Sequence, residues 1–212
     1  LVTIFINPKQ FNVRNDFIKY PRNIKSDLLK LKRLNVDYVF LPSIKDIFNF
    51  SPKKKIFLDS FSKRLCGKFR IGHFEGVLNV INRFLEIINP KYIYLGLKDY
   101  QQLVLIKKHI LKRKINTRVI SCKTIREKNG VACSTRNKNL SKLQILVAAQ
   151  VYSYLRNKKK SFNILKLNLK KPLINLGVSK LDYLEILNLK SLKKPKKKNE
   201  KFNIFIAYYL GK

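Results

Sequence analysis

The sequence predicts an α/β protein with a parallel sheet and helices on its faces, followed by a smaller α+β domain. Up to about Thr124, short apolar runs alternate with amphipathic stretches, and strand–helix–strand at this spacing is typical of a parallel sheet. After Thr124, one long helix pattern is followed by a lysine-rich loop and two strand-like runs. We therefore expect two domains, at residues 1–124 and 125–212.

Hydrophobic periodicity and turn residues predict the elements in order. In the first domain they are a strand at 2–6, a turn at 7–8, a helix at 27–34, a strand at 38–41, a helix at 77–88, a strand at 92–95, a helix from about 99 to 111 and a strand at 118–120. In the second domain they are a helix at 143–155 and strands at 182–187 and 202–210. His109 falls within a helix and is expected at its surface. In parallel sheets, ligands bind beyond the carboxyl ends of strands, and the polar segments of this chain follow those ends.

Composition bounds the class of protein. The 212 residues are 45% hydrophobic and 28% charged, which is typical of a folded protein rather than a disordered one. Lysines or asparagines interrupt each apolar run before it reaches membrane-spanning length. Cys66, Cys122 and Cys133 are far apart and form no metal-type pairs. We therefore expect a cytoplasmic protein with no membrane partner and no metal site built from its own side chains.

The net charge of +35 has two interpretations. Such a charge is typical of proteins that bind nucleic acid. It is also typical of a base-biased genome that enriches lysine, and here the lysines are spread along the whole chain without a nucleic-acid motif. The densest run, at 193–198, falls in a predicted surface loop. We expect no specific nucleic-acid partner, and a basic nucleic-acid-binding protein stays an alternative.

Two polar segments offer groups for a small polar ligand. Asn7 and Gln10 carry amides at a strand end, which suit hydroxyl and carboxylate groups. The alternative is a proline turn in which Asn7 satisfies its own backbone. Arg70 and His73 lie in a glycine-bracketed loop before a helix, where they are expected to contact a phosphate or carboxylate. The alternative is a helix entry with an exposed basic residue.

Two further segments suit phosphate. Gly96 ends a strand that turns into a helix, Lys98 adds a cation, and Gln102 lies one helical turn later. The alternatives are a solvated lysine and, for Asp99, an ordinary acid at a helix N-terminus. Ser134 and Thr135 precede Arg136, and two hydroxyls followed by arginine can bind a transferring phosphate. The alternative is a helix cap, although the Leu140-Ser141 pair offers a better one downstream.

Taken in order, these segments resemble the pantothenate synthetase (pantoate–β-alanine ligase) family over residues 1–212. The residues that carry the resemblance lie at 7–11, 17–22, 70–77, 96–102 and 126–137. The resemblance implies a homodimer of the nucleotidyltransferase superfamily. It implies a Rossmann-like domain for ATP and pantoate and a C-terminal domain that closes over them. With Mg²⁺, such enzymes use ATP to adenylate pantoate, and β-alanine then displaces AMP to give pantothenate.

The resemblance also implies roles for single residues. Those expected to bind ATP are Gly96, Leu97, Lys98, Asp99, Ile125, Cys133, Ser134, Thr135 and Arg136. Those expected to bind substrate are Asn7, Gln10, Gln102, Arg70 and His73. The catalytic residues are expected to be Lys98, Ser134 and Arg136. Mg²⁺ is expected to be held by phosphates and water. We expect Gln10, Lys98, Gln102 and Arg136 to converge on one cleft.

The chain departs from the family pattern at several positions. Leu97 replaces a glutamate, Cys133 a methionine, Thr135 a serine and Asn129 an aspartate. This chain has no counterpart of the family's His-x-Gly-His segment, which binds the ATP phosphates, because its two histidines are His73 and His109. Because the chain lacks methionine, including at position 1, we expect a fragment. Because the His-x-Gly-His segment is missing, we expect impaired activity. The alternatives are another adenylyltransferase of the superfamily and a decayed remnant without catalysis.

Overall fold

The computed structural model describes residues 1–11, 14–49 and 51–211, and the side chains at 14, 16 and 19 lie outside that description. These residues form two compact units, Leu1–Lys123 and Thr124–Lys212. Within the described ranges, no helix is long and apolar enough to cross a membrane. Lys212, the last residue of the predicted second domain, lies outside the described residues.

The first unit contains four strands and six α-helices among its described residues. The strands are β1 (Val2–Thr3), β2 (Val39–Phe40), β3 (Tyr92–Gly96) and β4 (Arg118–Cys122). The helices are α1 (Arg14–Lys19), α2 (Ile24–Arg33), α3 (Ile44–Phe48), α4 (Cys66–Phe69), α5 (His73–Ile88) and α6 (Tyr100–Lys112). Both strand pairs, β1 with β2 and β3 with β4, are parallel, as predicted.

The first strand is shorter than predicted. The apolar run suggested a strand at 2–6, whereas β1 ends at Thr3. Its partner β2 ends at Phe40, two residues before Pro42. Proline has no N–H to donate to a neighbouring strand, so the pairing with β1 stays short. One additional bond, from the Ile4 N–H to the Phe40 carbonyl at 3.0 Å, continues the pairing beyond β1. The chain then enters the turn at Asn7.

The core of the first unit lies between α5, α6 and the pair β3–β4. Buried residues from both helices form it, with strand residues packed against them. The buried members are Val77, Leu78, Leu85, Ile106 and Ile110. This packing fixes the carboxyl end of β3 and the start of α6 relative to α5.

The prediction for His109 is wrong. Its side chain is fully buried on the inner face of α6, four residues after Leu105. Its Nδ1 accepts from the Phe57 N–H at 3.0 Å, and its Nε2 lies 3.1 Å from the Asn82 side-chain oxygen. With Nδ1 as acceptor, Nε2 carries the proton and donates to Asn82. These two partners compensate a polar ring in an apolar core.

The second unit is α+β, as predicted. It contains α7 (Lys142–Lys158), α8 (Lys170–Asn175), β5 (Lys180–Asn188) and β6 (Phe202–Tyr209). The two strands pair in antiparallel register from Lys180 opposite Tyr209 to Asn188 opposite Phe202. The buried core residues of this unit are Val151, Leu155, Ile164, Leu169, Leu173 and Val178.

The start of α7 follows a strong local signal. Ser141 caps the helix by accepting from the Gln144 N–H at 3.2 Å, and the Gln144 side chain accepts from the Ser141 N–H at 2.8 Å. This reciprocal capping box fixes the first helical turn. The interpretation of Ser141 as the better helix cap is confirmed.

Candidate active site

The turn after β1 is built around a buried asparagine. Asn7 is 2% exposed and precedes a 3-10 helix at Pro8–Gln10. Its side-chain oxygen accepts from the Lys9 N–H at 3.0 Å, which is the local capping that a proline turn predicts. Its Nδ2 donates to the Gly76 carbonyl at 3.0 Å and to Gln10 Oε1 at 3.3 Å. Asn7 therefore supports the turn, and its contact with substrate stays a prediction.

Arg70 and His73 both point at the backbone of Gln10. Arg70 Nη2 donates to the Gln10 carbonyl at 2.8 Å, and His73 Nδ1 lies 2.8 Å from the same oxygen. Since a carbonyl oxygen can only accept, His73 must carry its proton on Nδ1. The sequence predicts substrate binding by these residues but not their common partner, which is 60 residues away or more along the chain. Their predicted contacts with phosphate or carboxylate stay predictions.

Helix α5 approaches this turn very closely at a glycine. A Cβ at Gly76 would lie 2.8 Å from the Lys9 carbonyl oxygen, which is closer than van der Waals contact allows. Gly76 is therefore required at this position because any side chain would push the turn away from the helix. Helix α5 therefore packs directly against the 3-10 turn, and Arg70 and His73 bind the end of that turn.

The third segment lies where β3 leads into α6. The strand ends at Gly96, a 3-10 turn follows at Leu97–Asp99, and α6 begins at Tyr100. Lys98 and Asp99 are exposed, and Asp99 precedes α6 without a side-chain capping bond. The segment thus presents a helix N-terminus and the exposed cation of Lys98 to solvent at the carboxyl end of a parallel strand. Gln102 is half-buried in the first turn of α6.

Gln101 is a residue that the sequence analysis missed. Its amide is 5% exposed, and its Nε2 donates to the Phe61 carbonyl at 2.8 Å and the Arg64 carbonyl at 2.6 Å. Its Oε1 accepts from the Cys66 N–H at 3.1 Å. Gln101 therefore fastens the loop 61–66 to the start of α6. Its place four residues before the apolar Leu105 was the available signal for burial.

In the second unit, residues 126–132 form a tight hairpin. Arg126 and Ala132 make an antiparallel bridge, and the Asn129 side chain accepts from the Val131 N–H at 3.0 Å. An aspartate oxygen could accept the same bond, so Asn129 preserves that turn contact. Gly130 has φ +88°, a left-handed conformation that favours glycine.

The hairpin is fixed to helix α7 by an arginine. The Arg126 guanidinium lies 3.9 Å from the centroid of the Tyr152 ring, and its Nη1 donates to the Gly130 carbonyl at 2.9 Å. A Cβ at Gly130 would lie 2.4 Å from the same Tyr152 ring. The hairpin backbone therefore sits directly against the tyrosine.

The predicted phosphate-binding run follows this hairpin. Ser134 caps a 3-10 helix at Thr135–Asn139 by accepting from the Arg136 N–H at 3.3 Å, so the capping alternative is satisfied locally. Arg136 is exposed, and the exposed Cys133 thiol donates to Glu127 Oε1 at 3.2 Å. Ile125, expected on the adenine side, is 72% exposed. The contacts of these residues with ATP stay predictions.

The described residues do not contain a cluster of three or more His, Cys, Asp or Glu side chains that could hold a metal ion. A Mg²⁺ ion usually keeps several waters and binds through substrate phosphates, with one or two carboxylates. The side chains described here would fit such an ion only as a companion of bound ATP.

A solved structure with a similar fold indicates the class of protein. Pantothenate synthetase from Thermus thermophilus superposes with a TM-score of 0.84 at 24% identity, over 99% of this chain and 79% of that one. This chain therefore shares the α/β fold of that protein, as the sequence predicted.

The family follows from the sequence and structural matches together. The family model described as pantoate-beta-alanine ligase matches residues 1–212, so the chain belongs to the pantoate–β-alanine ligase family. Pantothenate synthetase from Flavobacterium psychrophilum is 38% identical over 220 residues, covering 100% of this chain and 78% of the relative. Its counterpart from Francisella tularensis subsp. novicida is 39% identical over 218 residues, covering 100% and 75%.

A solved ligase structure carries ligands. Pantoate-beta-alanine ligase from Francisella tularensis, complexed with beta-gamma ATP and beta-alanine, superposes with a TM-score of 0.81 at 37% identity. The match covers 99% of this chain and 75% of that one. The recognition of the family from its polar segments is confirmed.

Proposed function

We propose that this protein is an ATP-dependent ligase that joins pantoate to β-alanine and releases AMP and pyrophosphate. The observation that carries the proposal is the family match over residues 1–212. The ligase structure from Francisella tularensis, with its beta-gamma ATP and beta-alanine, supports both ligands as substrates. We further propose that the protein works in the cytoplasm as a homodimer.

In the first step, a carboxylate oxygen of pantoate attacks the α-phosphorus of ATP. The new P–O bond gives pantoyl adenylate, and the bond to the departing pyrophosphate breaks. Both reactants are anions, so their repulsion must be offset. We assign this task to Lys98 and Arg136, with Ser134 and Thr135 as hydroxyl donors to phosphate. A bound Mg²⁺ would add positive charge on the phosphates.

In the second step, the amine of β-alanine attacks the acyl carbon of the adenylate. The amide bond forms, the acyl–oxygen bond to AMP breaks, and the ammonium proton leaves to solvent. Gln10 and Gln102 are assigned to pantoate, because amides at a strand end and in the first turn of α6 suit hydroxyl and carboxylate oxygens. Backbone groups from Gly96 to Asp99 are assigned to ATP.

The test is pyrophosphate release by the protein expressed from its complete gene, with ATP and Mg²⁺ present. Release that requires pantoate, and a product mass that requires β-alanine, would support the proposal. Release with another acid or a nucleotide precursor but not pantoate would instead indicate another adenylyltransferase. Loss of both activities in Lys98→Met, with an unchanged melting temperature, would assign the reaction to this site. No release with any substrate would indicate a remnant without catalysis.

A further inference from the structure

Gln10 is held from three sides by groups of the first unit. Its carbonyl oxygen accepts from both Arg70 and His73 at 2.8 Å. Its side-chain oxygen accepts from Asn7 Nδ2 at 3.3 Å. The same Asn7 nitrogen is fixed to the Gly76 carbonyl at 3.0 Å. Backbone and side chain of Gln10 are therefore both tied to helix α5.

The bond from Asn7 selects the orientation of the Gln10 amide. Because Oε1 accepts from Asn7, the nitrogen Nε2 occupies the other position and can only donate. None of the described residues accepts a hydrogen bond from this Nε2, and the Gln10 side chain is half-buried. A half-buried amide donor of this kind suits a ligand oxygen, such as a carboxylate or hydroxyl.

The two basic residues hold the backbone that carries this amide. Two donors on one carbonyl restrict Gln10 more than a single bond would, and one of them is a guanidinium, whose hydrogen bonds are charge-assisted. Neither bond requires substrate to form. Gly76 lets the Lys9 carbonyl lie against α5, so the turn cannot be displaced without breaking these contacts.

We propose that Arg70 and His73 are positioning residues that act on the substrate through Gln10, by holding its amide N–H groups toward an oxygen of pantoate. This inference rests on the proposed function, which supplies pantoate as the ligand of Gln10. It replaces the expectation that these two basic residues contact the substrate themselves. Preorganised donors lower the cost of ordering side chains on binding.

A double-mutant cycle tests this inference on kcat/KM for pantoate. We expect Arg70→Met to lower it about 10-fold and Gln10→Ala about 100-fold, and the double variant to match Gln10→Ala within about twofold. Once the Gln10 amide is gone, its position no longer matters. Arg70→Lys keeps a donor and is the matched control, with a smaller loss than Arg70→Met. A double variant about 1,000-fold impaired would mean that Arg70 binds substrate directly, and would overturn the inference.

His73 gives a second, independent pair of variants. Asparagine places an amide nitrogen near the position of Nδ1, whereas leucine removes the donor. We expect His73→Asn to retain more activity toward pantoate than His73→Leu, with KM for ATP unchanged in both. Equal losses in both variants, or an equal rise in KM for ATP, would contradict a role through Gln10.

A readout without catalysis separates this inference from the proposed function. The chain has five glutamines, so selective ¹⁵N labelling of glutamine gives few side-chain amide signals, and Gln10→Ala identifies the one from Gln10. We expect Arg70→Met to move this signal toward the position of a solvent-averaged amide, while Arg70→Lys moves it less. An unmoved Gln10 signal would overturn the inference even in an active enzyme. A moved signal in a protein without pantoate-dependent activity would leave the positioning contacts correct and the proposed function wrong.

Discussion

The regions of the two units that contain the predicted site residues are held in different ways. In the first unit, the turn at Gln10 and the start of α6 are fixed by buried side chains, among them Asn7, His73 and Gln101. In the second unit, the hairpin at 126–132 is largely exposed apart from Val131. Its shape comes from backbone bonds, from side-chain bonds of Arg126 and Asn129, and from the stack of Arg126 on Tyr152. Buried polar contacts are costly to break, and exposed ones are not. The conformation of the first region is therefore fixed by its buried contacts, whereas that of the second can change with a small loss of free energy.

The largest expected effect is that of Gln101→Leu. The substitution leaves two carbonyls and one N–H without their side-chain partner in the loop 61–66. We expect the free energy of unfolding of the first unit to fall by about 3–4 kcal/mol, because three hydrogen bonds of about 0.5–1.5 kcal/mol each are lost. The Phe61 and Arg64 carbonyls each keep one backbone hydrogen bond, from the Arg64 and Gly67 N–H groups. Native-state hydrogen exchange of the α6 amides measures this change.

Gln102→Leu is the matched control for Gln101→Leu. It is the same substitution one position later, at a half-buried side chain. Its effect on hydrogen exchange should stay below about 1 kcal/mol. Equal losses in the two variants would remove the distinction between a buried fastening residue and its neighbour.

The next effect concerns the pH dependence of stability. Burial, with a smaller contribution from the positive charge of Arg113, lowers the pKa of His109 from 6.5 to about 4. As the pH falls, His109 therefore takes up its proton in the unfolded chain before it does so in the folded one. Between about pH 6.5 and pH 4, protonation of His109 shifts the equilibrium toward the unfolded state. The contribution of His109 to stability is complete above this window and is lost through it, by up to about 3 kcal/mol.

His109→Gln removes the titrating group and keeps a polar side chain. Urea unfolding of both proteins from about pH 7 to about pH 4 should show a steeper loss of stability in the unaltered protein. The carboxylates titrate in both proteins, so their contribution cancels in the difference. Parallel curves would show that the buried His109 does not govern the acid response.

A smaller effect is expected in the exposed hairpin. Gly130→Ala places a side chain at φ +88° and against Tyr152, and we expect a loss of about 1–2 kcal/mol from strain and displacement of the ring. Gly96→Ala is the control, because Gly96 has φ −72° and a Cβ there meets only the Lys98 nitrogen at 4.0 Å. Hydrogen exchange of the α7 amides measures the loss for Gly130→Ala, and exchange of the α6 amides measures it for the Gly96→Ala control. A loss as large as that of Gln101→Leu would contradict the contrast between the two regions.

What the sequence predicts well is local. An apolar run ending at Gly96, followed by helical periodicity, correctly predicts β3 and α6, and the cap at the Leu140-Ser141 pair correctly predicts the start of α7. These signals lie within a few residues of the structure they specify.

What the sequence misses depends on distant partners. His109 was expected at the surface because its partners, Phe57 and Asn82, are 52 and 27 residues away. Arg70 and His73 were predicted to bind substrate, but their bonds to Gln10, which span 60 and 63 residues, were not predicted. Hydrophobic periodicity does not report such polar contacts, because they are set by how helices pack on the turn.

The most direct test of the account follows oxygen from the carboxylate of pantoate. If this carboxylate attacks the α-phosphorus of ATP, pantoate labelled with ¹⁸O in its carboxylate should transfer one labelled atom to AMP in each turnover with β-alanine. We predict labelled AMP and unlabelled pyrophosphate by mass spectrometry. Unlabelled AMP, or ¹⁸O in inorganic phosphate, would contradict the proposed adenylation.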